Sequence, residues 1–166
     1  MRSTVCVLLS AALVLSGATA SPFCDSAEDK VLCEQLVGGA STWGEAMTNA
    51  LSGVQKRAEG GKSVAEAVAA KLPAAGLPQT KEAIVRTCQW AYDRMMDSVK
   101  ACGGLVKDSS SSAIKHHLSP ISYGDCTQAL SEFDLSVPEA TQFDTEMHKL
   151  STTLLAIAEK NPSPSP

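Results

Sequence analysis

The sequence predicts an all-α fold, an antiparallel four-helix bundle with an N-terminal helical hairpin extension, stabilised by disulfides. Three observations lead there. Apolar residues recur at alternating steps of three and four along separate segments, the spacing of a single helix face. Aromatic residues are few, two Trp, two Tyr and three Phe among 166, while Ala, Leu, Val and Met abound, a composition suited to helices packed on helices rather than to β-sheet. The connections between periodic segments are short, so successive helices must turn back on one another.

The first twenty residues read as a leader. Met1-Arg2 is followed by an apolar run from Val5 to Leu15, broken only by Ser10, and then by Ala18-Thr19-Ala20, the small-x-small pattern read by signal peptidase. The run is shorter than the roughly 20 residues needed to span a bilayer. The expected organisation is a leader over 1–20, one helical domain over 21–160 (hairpin 21–38, bundle 41–160) and a disordered tail over 161–166. Without Arg2, 13 basic residues face 18 acidic ones, a net charge of −5. No basic patch interleaved with aromatics exists, which argues against nucleic acid as a partner. The expectation is an exported, extracellular monomer that does not reside in a membrane.

The elements follow in order. Asp25 to Val37 is too short for a bundle helix and reads as an appendage. Thr42-Trp43-Gly44-Glu45 has capping-box spacing, and Trp43, Met47, Leu51, Val54 and Ala58 continue at helical intervals up to Gly60-Gly61. Ser63-Val64-Ala65-Glu66 predicts a second capping box and a short helix ending at Pro73, with a loop through Pro78. The clearest stripe is Val85, Cys88, Tyr92, Met95, Val99, Cys102 and Val106, with Glu82, Arg86, Asp93, Arg94, Asp97 and Lys100 on the other side. Gly103-Gly104 weakens its last turn, and Ser109–Ser112 reads as a turn and N-cap. Ile114, Leu118, Ile121, Cys126, Leu130 and Phe133 form a rougher stripe that Pro120 should kink or split. Ser136-Val137-Pro138-Glu139 combines capping-box spacing with an early proline. Behind it, Ala140, Phe143, Met147, Leu150, Leu154 and Ile157 mark a final helix that Asn161-Pro162 ends.

With Cys6 in the leader, Cys24, Cys33, Cys88, Cys102 and Cys126 remain, an odd number that points to two bridges and one leftover thiol or an intermolecular bond. On one continuous helix Cys24 and Cys33 would stand about 13–14 Å apart, beyond the roughly 7 Å a disulfide spans, so they pair only if the chain turns between them. Cys88 and Cys102 share one predicted helix about 21 Å apart and cannot bond to each other. Helix arithmetic lets Cys126 reach either of them, leaning towards Cys102.

At these residues the sequence resembles the plant invertase and pectin methylesterase inhibitor family. Its members are secreted four-helix bundles with an N-terminal hairpin closed by a Cys-x8-Cys bridge, to which Cys24 and Cys33 correspond. Their second bridge starts at a cysteine with Tyr four residues on, as Cys88 and Tyr92 in TCQWAYDRMMDSV. It ends at a cysteine downstream of a segment here reading HHLSPISYGDC, which closes on Cys126. A final phrase like L-x-x-x-x-L-A-I is loosely matched by Leu150 to Ile157. The resemblance runs over nearly all of residues 21–166 and rests on the order and spacing of these motifs together. It implies the pairs Cys24–Cys33 and Cys88–Cys126, with Cys102 a free thiol buried on the core stripe. The sequence departs from the family in Ser26 and Asp29-Lys30, where Thr and Tyr-Pro are usual, and in Pro120. The Pro-Lys-Phe element of some invertase inhibitors is also missing, with Ser109–Ser112 standing near its place.

The function implied is inhibition of a plant cell-wall carbohydrate-active enzyme, with pectin methylesterase first and acid invertase second, by one-to-one docking over the substrate cleft in the apoplast. The family places contacts on the middle helices, here the faces of 86–100 and 113–125, with Asp93, Asp97, Lys100, Lys115, His116 and Ser119 as candidates. Chemistry of the chain's own is not expected. His116 and His117 point to different sides of a helix, no His-x3-His pair exists, and no Gly-x-Ser-x-Gly elbow occurs. No metal, cofactor or catalytic residue is therefore assigned. A helical bundle that binds a small apolar ligand is the alternative of a different class.

Overall fold

A computed structural model describes residues 20–73, 78–118 and 124–162. These residues are all-helical, with no strand among them, and two disulfides cross-link them.

The chain begins with a 3-10 turn, Pro22–Cys24, turns through residues 25–29 and enters α1 (Lys30–Val37). The Asp29 side chain caps α1 by accepting from the Leu32 N–H at 2.9 Å. That turn brings the Cys24 and Cys33 Cα atoms to 5.7 Å, and the two are bonded. Gly38, at φ 60°, closes α1 by donating its N–H to the Glu34 carbonyl. The segment is not an appendage. Cys33 and Val37 are completely buried, and α1 packs on α2 and α7.

In α2 (Trp43–Ala58) the expected capping box forms: Thr42 accepts from the Glu45 N–H, and the Glu45 carboxylate accepts from the Thr42 N–H. Its stripe from Trp43 to Ala58 is buried throughout. The next helix, α3 (Gly61–Lys71), corrects the sequence reading. It starts three residues early, is capped by Gly60 without a side-chain bond, and spends the Ser63 hydroxyl on the Gly60 carbonyl. The early start follows from packing. A Cβ on Gly61 would lie 2.7 Å from Tyr92 Cβ, so only glycine lets α3 approach α4 there.

The longest helix, α4 (Pro78–Lys107), takes Pro78 as its first residue rather than leaving it in the loop. Residues 74–77 of that loop lie outside the described residues. Ile84, not Val85, occupies the first core position, because Ile84 is one full turn before Cys88. Gly103 and Gly104 stay helical. The helix ends in a Schellman motif, with Ser109 left-handed at φ 52°, its N–H on the Val106 carbonyl and the Ser110 N–H on the Leu105 carbonyl.

Two helices follow, α5 (Ser111–Leu118) and α6 (Asp125–Ser131). Ser119, Pro120 and Ile121 lie outside the described residues. A second Schellman motif closes α6, with Asp134 at φ 54° and the Leu135 N–H on the Leu130 carbonyl. Phe133, expected on the core stripe, is instead 50% exposed. In α7 (Pro138–Ala158) proline occupies the first turn, but Val137 is the N-cap and Ser136 makes no capping bond. The Glu139 carboxylate, expected to close that box, pairs with Lys71.

Cross-chain contacts set the helix directions. The Trp43 indole donates to the Ile157 carbonyl at 3.0 Å, Arg57 pairs with Glu146 at 3.2 Å, and Lys71 pairs with Glu139. Residue numbers rise on one side as they fall on the other, so the α2–α3 stretch runs antiparallel to α7. Cys102 Sγ lies 3.8 Å from the Ile114 carbonyl, which sets α5 back along the end of α4. α4 and α7 each pack on α2, α3, α5 and α6, around one contiguous apolar core.

Candidate partner-binding surface

The site follows from the period of α4. With Ile84, Cys88, Tyr92, Met95, Val99, Cys102 and Val106 turned inward, a line of charged residues faces solvent: Glu82, Arg86, Asp93, Arg94, Asp97 and Lys100. The sequence candidates Asp93, Asp97 and Lys100 are therefore all exposed, at helical steps of four and three. Trp90, which the sequence reading passed over, belongs to the same face. It is 53% exposed, and the Arg94 guanidinium carbon stands 4.4 Å from its ring centroid. At an exposed site such a cation–π contact contributes about 0.5–1 kcal/mol, a modest bias of both side chains towards this pose. The signal was present: Trp90 lies two residues after Cys88, about 200° round the helix from the core.

Of the remaining candidates, Lys115 is half-buried and His116 is exposed on α5, with the His116 and His117 rings 6.1 Å apart. Because Ile114 sits beside Cys102, these residues flank the C-terminal part of α4. Ser119 lies outside the described residues.

Behind this face the helix is anchored by the Cys88–Cys126 disulfide, whose Cα atoms are 4.4 Å apart, so α4 is tied covalently to α6. One turn on, Tyr92 meets Phe143 edge-to-face at 4.9 Å between centroids. The Tyr92 hydroxyl has no partner in hydrogen-bonding geometry, although the Asp144 carboxylate is close enough to act on it. Burial, reinforced by Asp144, pushes the Tyr92 phenol well above its ordinary range. Burial likewise raises the Asp144 carboxyl, opposed by its bond from the Thr127 N–H at 3.4 Å. Asp144 was missed because it is polar, yet it stands four residues after the core residue Ala140, on the inward side.

Among the described residues Cys102 is the free thiol, completely buried and pushed up to about 11 by burial. A thiolate there is scarce at neutral pH, so this sulfur is chemically quiet. Among the described residues no group of three His, Cys, Asp or Glu side chains is arranged to hold a metal ion. Grooves mark the surface elsewhere among the described residues. One of about 880 Å³ runs past the polar side chains Arg57, Thr141, Glu146 and Lys149. An apolar one of about 320 Å³ lies between Leu72, Ile84, Phe133 and Leu135, with Lys81 at its side.

Fold and site define a class: an all-helical, disulfide-held protein whose longest helix presents an exposed aromatic–cation pair. Compared with protein-family models and with curated proteins, the chain matches none. Among the described residues no helix is long and apolar enough to cross a membrane, and with two disulfides that is compatible with an extracellular protein.

Proposed function

We propose that this protein is an exported, non-catalytic inhibitor of a plant cell-wall carbohydrate-active enzyme, with pectin methylesterase as the target. It docks one-to-one over the enzyme's substrate cleft and excludes polysaccharide. In this reading α2 with α3, α4, α5 with α6, and α7 are the four members of an antiparallel bundle, and residues 21–38 are its hairpin. The supporting observation is the pair of disulfides. In an all-helical chain, one bridge closes a short N-terminal turn and the other ties α4 to α6, the arrangement the family resemblance implies.

The docking surface is the outer face of α4 from Arg86 to Lys100, flanked by Lys115 and His116. Interfaces draw most of their energy from a few Trp, Tyr and Arg anchors. Trp90 with Arg94 is the anchor here, held by a helix whose rigidity lowers the ordering cost of binding. Over residues 21–166 the net charge of −5 suits long-range attraction to a basic enzyme, so association should slow as salt rises. Titrating the purified protein into pectin methylesterase tests the proposal. Demethylation should fall to a floor near one equivalent. An unchanged rate in excess protein overturns it. Sucrose hydrolysis by acid invertase in a parallel titration distinguishes the sister activity.

One observation favours a second reading, a carrier of a small apolar ligand: the apolar groove beside Phe133. Displacement of an environment-sensitive dye, abolished by Phe133→Ser, would support it.

A further inference from the structure

The Ser21 backbone nitrogen lies 2.6 Å from Glu34 Oε1, across thirteen residues of chain. Ser21 is also the residue that follows the Ala18-Thr19-Ala20 pattern. The two observations are independent, since one is a sequence motif for peptidase processing and the other is a fold contact. We infer that Glu34 is a built receptor for the new N-terminus: cleavage after Ala20 leaves a Ser21 ammonium that docks on the Glu34 carboxylate and secures the start of the folded chain. Hydrolysis by a leader peptidase breaks the Ala20 C–Ser21 N bond. The hydroxyl of water goes to the Ala20 carbonyl carbon and its hydrogen to the nitrogen, which takes a further proton from solvent at neutral pH.

Before cleavage the contact is a single amide hydrogen bond to a carboxylate. Afterwards it is an ion pair: the nitrogen carries a full positive charge and two further N–H donors, where before only the acceptor was charged. The geometry is fixed from both sides. Ser21 caps the Pro22–Cys24 turn, accepting on its side chain from the Phe23 N–H and on its carbonyl from the Cys24 N–H at 2.9 Å. Glu34 directly follows Cys33, whose bond to Cys24 locks the two strands of the turn together. Both residues are half-buried, so the pair is partly shielded from screening. Other charges near this end are Lys30 on α1, Asp25 paired with Lys160 at 4.0 Å beyond α7, and Lys149 of α7 beside Glu28 and Asp29. From α2, uncharged Asn49 reaches the Val37 carbonyl at 2.9 Å.

The test uses the full chain secreted from a cell that processes leaders, alongside its Glu34→Gln variant. Mass analysis of the N-terminal peptide should show that it begins at Ser21. A mature N-terminus at any other residue overturns the inference. Both proteins are then labelled with a limiting amine-acylating reagent near pH 8, with lysine labelling in the same digest as the internal reference. An ammonium held by a carboxylate gives up its proton later, and near pH 8, close to the ordinary α-amino range, a rise of about one pKa unit cuts the free amine about four- to fivefold. The Ser21 amine of the wild-type protein should therefore label about four- to fivefold more slowly than that of E34Q. Reduced and denatured wild-type protein should label as fast as E34Q, which separates docking from a misfolded variant. Equal rates in native wild type and E34Q refute the docking.

Discussion

Tyr92 and Trp90 are two residues apart on the same helix and have opposite surroundings. Tyr92 is 4% exposed, wedged against Phe143 and Gly61 beside a buried carboxylate. Trp90 is 53% exposed and touched by Arg94. A helix turns about 100° per residue, so one sequence stretch serves both purposes without compromise. The inner face holds α4 in place through a disulfide and aromatic packing. The outer face is left free of structural duty. Changes inside should therefore alter stability, and changes outside should alter binding alone.

The sharpest way to break this division is to remove the inner clamp. Replacing Cys88 and Cys126 together by Ser should lower the unfolding free energy by about 4 kcal/mol, measured in denaturant, since the bridge closes a loop with a sequence separation of 38. A loss below about 1 kcal/mol would show that α4 is held by packing alone. On the outer face, Trp90→Ala should weaken target binding by about 30-fold, the effect of a 2 kcal/mol anchor, while the unfolding free energy falls by no more than about 1 kcal/mol, the size of the lost Arg94 contact. If stability and binding fall together, the faces are not independent.

Asp144 sharpens the comparison through pH. Its folded-state value is raised, so the folded protein holds the proton more tightly than the unfolded chain. Stability should therefore increase as pH falls through that raised value towards the ordinary 3.8, and decrease as pH rises through it. Asp144→Asn should be the more stable protein at neutral pH, with its advantage shrinking in acid. Thermal melts from pH 4 to 8 read this directly, and parallel profiles for the two proteins would contradict it. The smallest effect is expected at Asp134. Asp134→Gly relieves a left-handed residue at φ 54° and should raise stability by about 0.5–1 kcal/mol without touching binding.

Much of the helical pattern was legible because burial follows period. The Trp43–Ala58 and Ala140–Ile157 stripes are buried at each expected position, and α2 has its capping box. Capping signals elsewhere misled where packing competed. Ser63 lost the N-cap to Gly60 because α3 fits closely against Tyr92, and Ser136 lost it to Val137 while Glu139 turned to Lys71. Helix arithmetic left Cys126 able to reach either cysteine and leaned towards Cys102, because it counted helical rise from the Ser109–Ser112 turn without the split between α5 and α6. With α5 ending at Leu118, Ile114 takes the place beside Cys102, and Cys126 bonds to Cys88. The Schellman closures at Ser109 and Asp134 were hidden because neither position carries glycine. On the candidate surface the charged line was legible from the stripe opposite it. Trp90 was legible from the same period, two residues after Cys88, but was passed over because only the charged residues opposite the stripe were considered.

The most direct test of the division between faces is a binding titration of pectin methylesterase with wild-type protein and with Trp90→Ala/Arg94→Ala, each accompanied by its unfolding curve. The division predicts one-to-one binding by the wild type and greatly weakened binding by the double variant, with unfolding free energies that differ by no more than about 1 kcal/mol. Equal binding by the two proteins, or none by either, would contradict it.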